Sequence, residues 1–126
     1  MAHKLLATIA LLLGGGTVFV FGVRNLLMPQ PTVRPFGILL SGPAALSEIR
    51  ASFGGMHLGV GGFMLAAIIA VPLRRAALLL LALYMGGLAV GRLVSAALDG
   101  TPSRFIWGLL VAELAFAALA ALALTV

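Results

Sequence analysis

The chain has 126 residues, of which 63% are hydrophobic and 9% charged, with a mean hydropathy of +1.23; it lacks the polar coat of a soluble domain. Its net charge of +5 comes from basic residues scattered at segment ends and inside apolar runs, none longer than Arg74-Arg75, which argues against a nucleic-acid partner. There is no cysteine, so disulfides, thiol redox chemistry and thiolate metal sites are excluded.

The first apolar run predicts a helix over residues 5–28. His3 and Lys4 precede it, as a signal peptide would have basic residues before its core. The run continues through VFVFGV, beyond a signal core, and no A-x-A site follows, so a retained helix is expected. Pro29, Pro31 and Pro35 end it. Residues 29–47 read as a loop with one apolar piece, FGILL, of re-entrant or interfacial character.

The second run predicts a glycine-rich helix over 48–71, ended by Pro72 and Arg74-Arg75. The third covers 76–98 and closes at Asp99-Gly100-Thr101-Pro102, a strong turn signal. The fourth covers 103–126. Each run exceeds the roughly 20 residues needed to cross the hydrocarbon of a bilayer. Strands are disfavoured because no period-2 alternation occurs and every backbone group must be paired inside lipid. The expected fold is all-α, one polytopic membrane domain of four transmembrane helices in an antiparallel bundle. Four spans put both chain ends on one side. With Arg24 and Arg50 drawn into the bundle, the Lys/Arg count makes that side cytoplasmic.

Small residues recur at helical spacing. Gly55, Gly59, Gly62 and Ala66 form one face of the second helix. Gly87, Gly91 and Ser95 form one in the third, and Gly108, Ala112, Ala115 and Ala118 a weaker one in the fourth. Such faces let helices approach closely in membranes. Packing inside the bundle is the expected use, and a homodimer seam is the alternative.

Three ionisable residues interrupt the apolar runs: His57, Arg92 and Glu113. Charges at membrane depth are costly and mark functional positions. At about 1.5 Å per residue they lie roughly 4, 7–8 and 2 Å from their helix midpoints, all displaced toward the half carrying the 29–47 and 99–103 connections. Arg24, Arg50 and Glu48 lie toward the same half. Together these six are the candidate ligand-binding residues. Arg92 stays charged and needs an anion or water; Glu113 can supply the anion, with His57 as a third member. Otherwise Arg92 with Arg24 or Arg50 can hold a ligand carboxylate or phosphate, or Glu113 and His57 can exchange protons. Tyr84, eight residues before Arg92, can face the same cavity or pack in the core. Trp107 and Arg104 read as interface anchors, and Asp99 as a turn residue. No HExxH, serine elbow or dinucleotide fingerprint occurs, so no metal or cofactor is expected.

The segments SEIRASFGGMHLGVGGF (47–63) and GRLVSAALDGTP (91–102), with Glu113 eleven positions beyond the second, resemble a family of small bacterial four-helix membrane proteins. That family is classed as a domain of unknown function, number four-three-four-five. On the resemblance the motif positions are Glu48, Arg50, Gly54, Gly55, Gly59, Gly91, Arg92, Ser95, Asp99, Gly100 and Glu113. Phe53 stands where the family pattern has tyrosine. The resemblance implies a bacterial inner-membrane location and no activity.

Three functions fit these residues. One is binding or transport of a small amphipathic or anionic, lipid-like ligand in a polar pocket lined by His57, Arg92 and Glu113. Another is an accessory subunit of a larger membrane complex, or a homo-oligomer, whose partners include membrane lipids. The last is a membrane enzyme using Glu113 and His57 as acid and base.

Overall fold

A computed structural model describes residues 1–126, and all of its regular structure is helical. Helix α1 spans Ala2–Leu27, where Met28 leaves helical geometry. The short α2, Pro29–Val33, follows, with one 3-10 turn, Arg34–Phe36, behind it. Helix α3 covers residues 42–66, α4 Arg74–Asp99 and α5 Arg104–Thr125. With the turn preceding α4, residues Val71–Asp99, the helices α1, α4 and α5 are long and apolar enough to cross a membrane; α3, which carries Arg50 and His57, is not among them.

Two expectations change here. Residues 29–47 are not simply a loop: Pro29 occupies the first turn of α2, where its missing N–H costs nothing. Gln30 then clamps the FGILL segment, donating from Nε2 to Ile38 O (3.0 Å) and accepting from Leu40 N–H at 2.7 Å. Gly37 and Gly42 take left-handed φ values of 76° and 81°, which a side chain would strain. The second long helix lies at 42–66 instead of 48–71. Pro43 sits in its first turn, and its far end is closed by Arg74, which reaches back to the carbonyls of Ala67 (3.3 Å) and Ile68. Those carbonyls have no partner within the helix, so a cation there satisfies them.

Helix α1 packs along α3, α4 packs along α5, and α1 also meets α5. Ala10, Leu11, Met64, Ala67, Ala77, Leu81 and Ala120 are fully buried where they meet. The core is small-sided because backbones come close.

The glycines that permit this approach are not the expected ones. A Cβ on Gly61 would stand 2.5 Å from Phe19 N and 2.9 Å from Gly15 O. One on Gly22 would stand 2.7 Å from Leu58 N and 2.9 Å from Gly54 O. Gly15 and Gly54 likewise press on Met64 and Leu26. The α1–α3 seam is thus Gly15 and Gly22 against Gly54 and Gly61, each pair seven residues apart. By contrast, Gly59, Gly62, Gly87 and Gly91 meet nothing within 4 Å, and Gly55 meets only the nearby Arg50 carbonyl. Gly55 and Gly62 follow Gly54 and Gly61 by one residue, about 100° around the helix. Their stripe therefore faces outward.

Candidate functional site

The polar interior begins with a widened, π-type turn at Arg50–Gly55, where the Met56 N–H bonds five residues back to Ala51 O. Such turns add a residue to the ladder and recur at functional positions. One turn on, the ring of His57 lies 3.2 Å (Nδ1) from Ser52 O. A carbonyl only accepts, so Nδ1 carries the proton in the neutral ring, and Nε2 accepts from the Tyr84 hydroxyl of α4. Phe21 of α1 stands edge-on to the imidazole at 5.0 Å, and Phe53 at 6.1 Å. His57 is buried in this aromatic box, with both nitrogens occupied.

The second polar group joins α4 to α5. Arg92 Nε donates to Glu113 Oε1 (2.9 Å) and Oε2 (2.8 Å), while Nη2 donates to Oε1 at 2.7 Å. This is the only salt bridge in the chain. Its burial is unequal: the Glu113 side chain is 7% exposed and that of Arg92 21%. A guanidinium has five N–H groups; Nε and Nη2 use two here, and Nη1 has no partner. Phe36 lies 6.0 Å from Arg92 Cζ by its ring centroid, a cation–π distance, and packs edge-on against Phe105 at 5.3 Å. Phe36, from the 29–41 connection, thus lies beside the guanidinium, backed by Phe105 at the start of α5.

Hydrogen bonds do not join the six candidate residues into one network. His57 bonds Tyr84 and Ser52, not Glu113. Arg50 is exposed and donates to Leu26 O, closing the end of α1. Glu48 is exposed and accepts from the Ser52 hydroxyl. Arg24 is exposed on a groove along α1 that also includes Leu12, Leu13 and Val20. Arg24 lies in the last turn of α1, where a long side chain reaches outward easily. Asp99 accepts from Ser95 at 2.9 Å.

Two participants carry weak sequence signals. Tyr84, readable as core packing, is the direct partner of His57. Asn25 is fully buried; its Nδ2 donates to Phe21 O (2.9 Å), and its Oδ1 is the one buried side-chain atom left without a partner. Its place at the polar end of an apolar helix resembles that of an ordinary terminal residue.

No curated protein and no solved structure matches the chain. A family profile described as a domain of unknown function, DUF4345, matches residues 6–124. That span takes in the glycine seam, the His57–Tyr84 contact and the Arg92–Glu113 pair alike, and the chain belongs to the DUF4345 family.

Proposed function

We propose that the protein is a four-span integral membrane protein of the bacterial inner membrane that holds an anionic, amphipathic ligand, the ligand's head group seated on the open edge of Arg92. The outward faces support the membrane setting: Leu12, Val20, Leu83, Val90, Val111 and Leu122 are all exposed. A soluble protein rarely shows apolar surface on that scale. Helix α3, at about 1.5 Å per residue, is roughly 37 Å long and exceeds a hydrocarbon core of about 30 Å. Its charged members sit near one end, and its glycine face is sealed against α1, which supports a fourth span. Both chain ends then share a side, which we assign to the cytoplasm.

The observation that carries the ligand reading is the unused guanidinium edge. Glu113 neutralises Arg92 but occupies only two of its N–H donors. The remaining donors lie beside Phe36, so a carboxylate or phosphate has hydrogen bonds to gain next to an apolar ring. The acid–base reading is less favoured, because His57 has no free nitrogen to serve as base.

The test uses purified protein in lipid nanodiscs and counts retained anionic lipid by native mass spectrometry. Arg92→Leu/Glu113→Leu removes the charges together, so the fold survives without an orphan ion. Wild type should retain one more anionic lipid than the double variant. Equal retention by both would overturn the reading.

A second reading rests on the uncovered small-residue stripes. Gly55, Gly59 and Gly62 of α3 and Gly87 and Gly91 of α4 touch nothing within the chain, apart from the local carbonyl beside Gly55. Close helix packing is their usual purpose in lipid, which supports a place in a larger complex or homo-oligomer. Mass measurement after mild detergent extraction distinguishes this: a lone monomer would count against it.

A further inference from the structure

The opposite end of the molecule carries a second basic feature. A cleft of about 450 Å³ opens where the start of α1, the start of α4 and the end of α5 converge. His3 and Lys4 line it from α1, and Arg74 and Arg75 from α4. Its inner wall is apolar, with Leu78 and Ala123 almost wholly buried. The volume falls within the roughly 300–1,000 Å³ of small-molecule sites.

Side-chain charge around it is of one sign, and Val126 also lines it. The chain's three acidic side chains all have partners elsewhere: Glu48 with Ser52, Asp99 with Ser95, and Glu113 with Arg92. None lines the cleft. Lys4 and Arg75 make no side-chain hydrogen bond or ion pair, so their donors are free. Arg74 is fixed differently, through the carbonyls of Ala67 and Ile68. Three permanent cations thus face a concave, partly apolar opening with no Asp or Glu among them. Mutual repulsion in that setting is relieved by an anion, and the apolar wall suits an acyl glycerol beneath it.

We infer that this cleft is a binding site for the phosphate head group of an anionic phospholipid, held chiefly by Lys4 and Arg75, with Arg74 as a third, fixed cation. It is independent of the Arg92 edge, at the other end of the bundle. A phosphodiester offers oxygens to several donors at once, and its acyl chains continue along the exposed apolar surface of α1 and α4, where Leu5 and Leu79 lie open.

The full chain is reconstituted in nanodiscs of phosphatidylcholine mixed with phosphatidylglycerol, and bound lipids are counted by native mass spectrometry. Lys4→Gln/Arg75→Gln is compared with its parent in two backgrounds: wild type and Arg92→Leu/Glu113→Leu. Lys4 and Arg75 are exposed, so the variant folds; Arg74 is kept because it closes α3. The site predicts a several-fold preference for phosphatidylglycerol in both parents and its loss on the added substitution. No change in either background overturns it, whatever the Arg92 result. Inorganic phosphate is titrated into phosphatidylcholine-only nanodiscs as the second arm. Thermal stabilisation equal to that from phosphatidylglycerol would show a soluble-anion site and overturn the lipid assignment.

Discussion

Arg92 Nε lies 2.9 and 2.8 Å from the two carboxylate oxygens of Glu113, tying α4 to α5 inside an apolar assembly. Losing either group alone leaves the other mostly buried and without its partner. Arg92→Leu or Glu113→Leu should each cost about 3–5 kcal/mol, whereas the double substitution should recover most of that loss. Thermal unfolding of the three variants in one detergent checks it. A double variant as unstable as either single one would mean that the pair's shape, not its charge balance, holds the helices.

Gly61 leaves no room for a methyl group. Its hypothetical Cβ would meet the backbone of Phe19, which cannot swing aside as a side-chain tip does. Gly61→Ala should therefore force α1 and α3 apart, at about 1–3 kcal/mol or more. Gly59→Ala, two residues away on the open face, should be neutral or slightly stabilising. Comparing unfolding temperatures of the two variants locates the seam directly.

These glycines show how far sequence reasoning reaches. Spacing identifies a face but not its direction: Gly54–Gly61 and Gly55–Gly62 share the same interval of seven. Only the partner helix chooses between them, and that choice is tertiary. The same holds for the arginines. Arg24, Arg50 and Arg92 all interrupt apolar stretches, yet Arg92 alone is drawn to a buried acid. The helical class and the three long apolar helices follow from composition, because hydrocarbon-facing surface has no substitute for apolar residues. The limits of α3 do not, because apolarity persists through residues 67–71 after the helix has ended. Arg74 closes it through a contact six and seven residues back.

Tyr84 supplies the sole donor to Nε2 of His57. Tyr84→Phe keeps the ring packing but leaves a buried acceptor unmatched, at about 1–3 kcal/mol. In a His57→Phe background that acceptor is gone, so the same substitution should cost much less. The two differences, taken from denaturant titrations, give the coupling between α3 and α4. Equal costs in both backgrounds would show that the hydroxyl matters for some reason other than the imidazole.

Asn25 presents the reverse case. Its Oδ1 is buried with no donor, and its Nδ2 goes to a carbonyl of its own helix that the backbone ladder already uses. An unmatched buried carbonyl costs about 1–3 kcal/mol, and a side-chain bond to an occupied helix carbonyl returns little of it. Leucine has nearly the same volume and no polar atoms. Asn25→Leu should thus raise the unfolding temperature of the purified protein. A fall instead would place a water or ligand donor on Oδ1, because only a partner there would turn removal of the amide into a loss. The same variant, carried through the nanodisc lipid count, separates these two donors: a bound water leaves lipid retention unchanged, and a ligand head group does not.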